Sequence, residues 1–223
     1  MGAVLSVCSS KGGAGKSTLS MILAGALESL GYSVRIIDAD PAERLANLAE
    51  TGSLPERITV TKAVERGVSQ AIRAAAEEVD CVIVDVAGTA NLAIANAAGN
   101  SDLTIVPANP SAPDVMDAVA TVELIRELES ISRRKHPYAL VWMRVPQFRS
   151  REMNALEATI NGAAIPILYS IANRTAYQAM FSYGTTVQKL DPSDVPNLDK
   201  ALIESAGLLD AVLEMIKQTA DAA

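Results

Sequence analysis

Apolar residues along this chain follow two alternating patterns. Short continuous runs occur at residues 3–8 ("AVLSVC"), 32–40 ("YSVRIIDAD"), 81–85 ("CVIVD"), 103–107 ("LTIVP"), 138–144 ("YALVWMR") and 165–171 ("IPILYSI"). Such runs predict strands covered on both faces. Between them, apolar positions recur at helical spacing. Leu19, Ile22, Leu23, Ala26, Leu27 and Leu30 mark a helix over 15–30 that stops at Gly31. Further helices are predicted over 43–49, from a Thr61 cap to about 78, and over 91–100, 114–134, 151–161, 175–183 and 198–219.

Strand and helix alternate from end to end. The expected fold is therefore α/β, a doubly wound and mostly parallel sheet with helices on both faces. No linker rich in Pro, Gly or Ser interrupts the pattern, so residues 1–223 are expected to form one domain. In sheets of this kind ligands bind beyond the carboxyl ends of the strands. The unusual residues gather there: a glycine-rich loop after the first strand, Asp38 and Asp40 after the second, and Asp85 at the end of "CVIVD".

Composition narrows the chemistry. The chain is 49% hydrophobic and only 4% aromatic, which predicts an aliphatic core. It has two cysteines, Cys8 and Cys81, both inside apolar runs, and one histidine, His136. Both thiols are expected to be buried, and a structural zinc site is excluded. The N-terminus enters a strand without a charged leader, and no apolar run has membrane-spanning length, so a cytoplasmic protein is expected.

The net charge of −7 argues against nucleic acid, but charge is unevenly spread. Between residues 126 and 151, seven basic residues (Arg126, Arg133, Arg134, Lys135, Arg144, Arg149 and Arg151) face only Glu127 and Glu129. Such a stretch is either a solvated helix end and loop or a local positive face for phosphates.

The loop "KGGAGKST", residues 11–18, carries the most specific signal. Gly12, Gly13 and Gly15 let the backbone turn tightly around Ala14 and aim amide N–H groups inward. The following helix adds its positive dipole end. Lys16 can reach β- and γ-phosphates, the Ser17 hydroxyl can ligand Mg²⁺, and Thr18 can bond an α-phosphate. The motif should arise by chance in such a chain on the order of once in 10⁴ to 10⁵. Asp85 stands where a P-loop NTPase holds Mg²⁺. Asp38 and Asp40, in "DADP", either form an Asx turn before Pro41 or face the γ-phosphate, where a carboxylate can orient water and contact the metal shell.

These motifs resemble the ParA/MinD family of deviant Walker ATPases. "KGGAGKS" matches its phosphate loop, "IIDADP" its second acidic motif, "CVIVDVAG" its metal-binding strand, and "IVPANPSAPDVMDA" its proline-containing loop. "GTTV" resembles a family glycine turn, and the likeness spans residues 1 to about 190. It is nearest to the small ParA proteins that lack an N-terminal helix-turn-helix extension.

The resemblance implies an ATP hydrolase that uses Mg²⁺ and dimerises with ATP sandwiched between subunits. It makes Lys11 the signature lysine that contacts the partner's ATP. Asp40 becomes the water-orienting aspartate, with Asp38 its companion near the metal beside Ser17 and Asp85. Many MinD-like relatives carry Asn-Arg at the end of the fifth predicted run, whereas this chain has Met143-Arg144. Base contacts are therefore assigned to backbone groups near Met143, Arg144, Ile171 and Asn173.

By the same resemblance the cargo is a plasmid or other DNA, held by an ATP-bound, nucleoid-associated dimer. Non-specific DNA would meet Arg133, Arg134, Lys135, Arg149, Arg151 and Arg174, and a ParB-like or other small activator would trigger hydrolysis. Alternatives are a protein cargo, such as a carboxysome or chemoreceptor array, and a MinD-like membrane-surface ATPase. The acidic tail "LLDAVLEMIKQTADAA" disfavours the membrane. An iron–sulfur or redox role needs exposed cysteines, which this chain is not expected to have.

Overall fold

A computed structural model describes residues 2–64, 67–87, 91–148 and 150–221. Seven strands form one sheet: β1 (Ala3–Val7), β2 (Val34–Ala39), β3 (Ile58–Lys62), β4 (Cys81–Val86), β5 (Leu103–Ala108), β6 (Tyr138–Val145) and β7 (Ile167–Ala172). Their order is β3-β2-β4-β1-β5-β6-β7, and every described pairing is parallel. Parallel strands need crossover helices, and these cover both faces.

The helices are α1 (Lys16–Ser29), α2 (Arg44–Ala49), α3 (Val68–Glu78), α4 (Asn91–Ala98), α5 (Ala112–Ser132), α6 (Arg151–Gly162), α7 (Thr175–Tyr183) and α8 (Leu198–Asp221). On one face α1 packs centrally against α8, with Leu19, Ile22, Leu23, Leu208 and Val212 in one apolar cluster. On the other face α3 and α4 cover β1, β2 and β4, while α5 and α6 cover β5 and β6. Strands β4 and β5 are buried at every position, as their unbroken apolar runs predict.

Two features differ from the sequence expectation. Thr61 does not cap a helix. It lies in β3 and pairs with Ile37 of β2, and helix α3 begins only at Val68. The strand "ITVTK" lies at the sheet edge and is mostly exposed, so it lacks the apolar run that marks its neighbours. A short 3-10 turn at Val187–Lys189 was also not anticipated.

Because the strands are parallel, the loops after them share one edge of the sheet. The phosphate loop, the "DADP" segment, Asp85 and the segments following β6 and β7 therefore meet. The same topology divides the basic stretch. Arg133, Arg134 and Lys135 precede β6 and lie at the opposite edge, whereas Arg144 and Arg151 lie at the loop edge.

Candidate functional site

The glycine loop between β1 and α1 adopts the conformation its sequence requires. Gly13 and Gly15 have φ of 88° and 100°, in the left-handed region. Gly15 is needed for a second reason: a Cβ there would meet Met143 Cγ and Cε at 3.2 Å. Met143 thus packs its thioether directly under the loop, and its side chain offers the site no amide.

The loop opens onto a cleft of about 620 Å³. Gly12, Gly13, Gly15, Lys16, Ser17 and Thr18 form its floor. Asp40 and Arg44 stand on the β2 side, while Met143, Arg144, Ile171 and Asn173 stand on the β6 and β7 side. Arg174, Tyr177, Gln178 and Phe181 complete that wall. Ala14 is buried within the loop.

Lys16 is buried, and its Nζ donates to the Lys11 carbonyl at 2.8 Å. Burial lowers its pKa, the charges of Asp85 and Asp40 oppose that shift, and the charge of Arg44 adds to it. Ser17 Oγ donates to Asp85 Oδ2 at 2.6 Å. Burial pushes the Asp85 carboxyl up to about 7, with Asp38 adding repulsion, while the Ser17 hydrogen bond and Lys16 pull it down.

Asp85 Oδ1 is buried without a hydrogen-bond partner among the described residues. An orphaned, poorly solvated carboxylate oxygen beside a hydroxyl suits a hard divalent cation such as Mg²⁺. Ser17 and Asp85 thus fit the metal. Asp38 pairs in register with Asp85 on the adjacent strand, but its oxygens are occupied. Oδ1 accepts from the Asp40 N–H at 3.1 Å, and Oδ2 accepts from the Leu45 and Ala46 N–H groups at 2.9 and 3.0 Å. Asp38 therefore holds the β2–α2 loop and reaches Asp85 through its charge. Asp40 accepts from the Ala42 N–H at 2.9 Å, the Asx turn the sequence allows, while still lining the cleft.

Lys11 points away from its own loop floor. Its ammonium lies 2.6 Å from Asp114 Oδ1 at the start of α5, and its side chain is 41% exposed. Asp114 also accepts from the Asn109 N–H and Nδ2, and Asn109 Nδ2 reaches the Gly13 carbonyl at 3.3 Å. The proline-containing loop is thereby tied to the phosphate loop. Burial raises the Asp114 carboxyl, but the hydrogen bonds from Lys11 and Asn109 outweigh it and leave the pKa below the usual range.

The predicted DNA contacts do not gather on one surface. Arg133, Arg134 and Lys135 are exposed at the far edge of the sheet, and Arg151 is exposed at the near edge. Arg149 lies outside the described residues. Arg174 is not free: its guanidinium pairs with both oxygens of Glu204 on α8, and Glu204 also accepts from Tyr177 Oη. Sequence reasoning missed Asp114, Arg44, Tyr177, Gln178 and Phe181. Asp114 had the one usable signal, since it lies inside the proline-containing loop.

Both cysteines are buried, as expected. Among the described residues no group of His, Cys, Asp and Glu could hold a metal by itself, and no helix is long and apolar enough to cross a membrane.

The model of the CobQ/CobB/MinD/ParA nucleotide binding domain matches residues 5–218. A ParA protein of Rhizobium radiobacter is 35% identical over 191 residues, covering 84% of this chain and 86% of its own. The maintenance of carboxysome distribution protein A of Halothiobacillus neapolitanus is 27% identical over 192 residues, covering 83% and 87%. The septum site-determining protein MinD of Pyrococcus horikoshii, solved with Mg-ADP, shares the fold at a TM-score of 0.71. It has 18% identity, with 95% of this chain and 96% of that one covered. The chain therefore belongs to the CobQ/CobB/MinD/ParA family of nucleotide-binding domains, whose ParA and MinD members are ATPases.

Proposed function

We propose that this protein is an ATP-dependent, dimerising ATPase that partitions DNA, most directly a plasmid, through non-specific DNA binding and hydrolysis stimulated by a ParB-like partner. The observation that carries this reading is the placement of Lys11. It belongs to the phosphate loop by sequence, yet its ammonium pairs with Asp114 and it is not among the described residues that line its own cleft. Held at the rim by Asp114 and half exposed, it is available to a second subunit's nucleotide. ATP bears more negative charge than Lys16 and one Mg²⁺ neutralise, so a cation supplied in trans couples nucleotide state to dimerisation.

Each residue has a separable task. The loop amides and Lys16 bind and orient the phosphates, and Thr18 adds a contact at the α-phosphate. Ser17 and Asp85 would hold Mg²⁺, which when bound screens the phosphate charge. Asp40 orients the attacking water and accepts its proton. Met143 and Ile171 provide apolar walls for the base, with Arg144 and Asn173 at its edge.

The exposed cations Arg133, Arg134, Lys135 and Arg151 are the candidates for DNA phosphates, and a nucleoid-associated cytoplasmic protein follows from that role. The likeness to a ParA protein supports a DNA cargo. The likeness to a carboxysome distribution protein favours a protein cargo as the second reading. A membrane surface is the least supported. The apolar face of α8, including Leu198, Ala201, Leu208 and Val212, is packed into the core and is not offered to lipid.

Sedimentation with ATP and Mg²⁺, together with shift of random-sequence duplex DNA, tests the proposal. A dimer that forms only with ATP and binds DNA at low salt, with affinity falling steeply as salt rises, is expected. A chain that stays monomeric with ATP would overturn the sandwich. An ATP dimer that ignores DNA at low salt would move the assignment to a protein cargo.

A further inference from the structure

Four cationic side chains line the nucleotide cleft: Lys16, Arg44, Arg144 and Arg174. Three are already engaged. Lys16 donates to the Lys11 carbonyl, Arg144 Nη1 reaches the Gly13 carbonyl at 3.4 Å, and Arg174 is clamped by Glu204. Arg44 is different, since its exposed guanidinium has no hydrogen-bond or ion-pair partner among the described residues. It nevertheless lies close enough for its charge to act on the Lys16 ammonium.

The backbone beneath Arg44 is held firmly. Asp38, buried at the end of β2, accepts from the N–H groups of Leu45 and Ala46, the two residues after Arg44. The Glu43 N–H donates to the Asp40 carbonyl at 2.8 Å. Glu43 has a φ of 48° and is tied to Lys62 of β3 by a 2.7 Å ion pair. Leu45, the residue after Arg44, is fully buried. The loop thus fixes where Arg44 starts and leaves its charged end free, on the same wall as Asp40. A cation fixed at its base and unpaired at its tip suits a ligand that brings its own negative charge. The planar guanidinium can bridge two phosphate oxygens.

We infer that Arg44 is a catalytic residue of this ATPase, supplied in cis, whose guanidinium contacts the γ-phosphate beside Asp40 and stabilises the charge that develops as that phosphate leaves. This rests on the ATPase reading above. In bond terms, water attacks the γ-phosphorus, the bond from phosphorus to the β–γ bridging oxygen breaks, ADP and phosphate leave, and the water proton passes to Asp40. Arg44 neither gains nor loses a proton. It offers N–H donors to oxygens whose charge rises in the transition state.

The test uses the full chain carrying Arg44→Ala or Arg44→Lys. Steady-state turnover is measured beside equilibrium binding of ADP and of a non-hydrolysable ATP analogue. For Arg44→Ala, kcat is expected to fall at least about tenfold. Affinity for the ATP analogue falls by about tenfold while ADP affinity stays within about twofold, because the contact is to the terminal phosphate. Arg44→Lys, which keeps the charge without the fork, recovers part of both losses. Equal losses for ADP and the analogue, or unchanged basal kcat, would remove the assignment. If the parent chain itself turns over no ATP, the ATPase reading falls and Arg44's role falls with it. If the parent turns over ATP and the variants match it, only the Arg44 role falls.

Discussion

Lys11 Nζ sits 2.6 Å from Asp114 Oδ1, so the second cation of the phosphate loop is held by a carboxylate of its own chain. The pair is asymmetric: the lysine is half exposed and the aspartate is buried. A partner's nucleotide that draws on Lys11 must compete with Asp114. Lys11→Ala is expected to leave a folded monomer that binds ATP but forms no ATP-dependent dimer in sedimentation. Asp114→Asn removes the competing charge and keeps the shape. It should lower the protein concentration needed for the ATP dimer by roughly two- to fivefold, the range expected for a solvent-accessible ion pair. A weaker ATP dimer in Asp114→Asn would show that Asp114 supports the trans contact and does not compete with it.

Asp40 lines the cleft beside the phosphate loop, and among the described residues its carboxylate is engaged through Oδ1 alone, by the Ala42 N–H. Asp40→Ala is expected to bind ATP with near-parental affinity and to hydrolyse it about 10²- to 10⁴-fold more slowly, the usual contribution of a positioned general base. The ATP dimer then persists. Gel filtration after ATP addition measures its lifetime, and a variant with parental turnover would reassign the water-orienting role.

Much of this was legible in the sequence because it depends on local chemistry. The glycine loop, the acids closing β2 and β4, and six of seven strands follow from runs and motifs within a few residues. Strand β3 was not legible, because an edge strand needs no continuous apolar run and "ITVTK" alternates with threonine. The Lys11–Asp114 pair spans 103 positions and exists only once β1 and β5 lie side by side. The basic stretch misled for the converse reason. Neighbours in sequence are carried to opposite edges of the sheet by β6, and Arg174, a candidate for DNA phosphates by resemblance, pairs with Glu204 from α8.

Cys8 and Cys81 offer a test of the buried core. Burial pushes the Cys8 thiol well above its ordinary value and the Cys81 thiol up to about 12, with nearby aspartates adding to both shifts. Nucleophilic attack needs the thiolate, so a pKa near 12 leaves on the order of 10⁻⁴ of that form at pH 8. Neither thiol should be alkylated by iodoacetamide in the native protein at pH 8, and both should react after unfolding in guanidinium. Mass spectrometry counts the adducts. Rapid native labelling of either residue would place it at a surface and reopen an iron–sulfur or redox role.

The Arg174–Glu204 pair joins the nucleotide cleft to the C-terminal helix. Glu204 accepts from Arg174 Nε and Nη2 and from Tyr177 Oη, so three donors depend on one carboxylate. Hydrogen bonding to Glu204 and burial together raise the Tyr177 phenol far above its usual range, with burial the larger cause. Glu204→Gln keeps the size but loses the charge and can serve only one or two of the donors. It leaves a guanidinium without its counter-ion in a partly buried position. A loss of about 1–3 kcal/mol in denaturant unfolding is expected. The α7 wall carrying Tyr177, Gln178 and Phe181 should loosen with it, weakening ADP binding severalfold while the kcat of nucleotide-saturated protein changes little. Arg174→Ala paired with Glu204→Ala should be less destabilised than the sum of the two single variants, since the double variant strands neither charge. Additive losses in that cycle would mean that α8 supports the fold without coupling to the cleft.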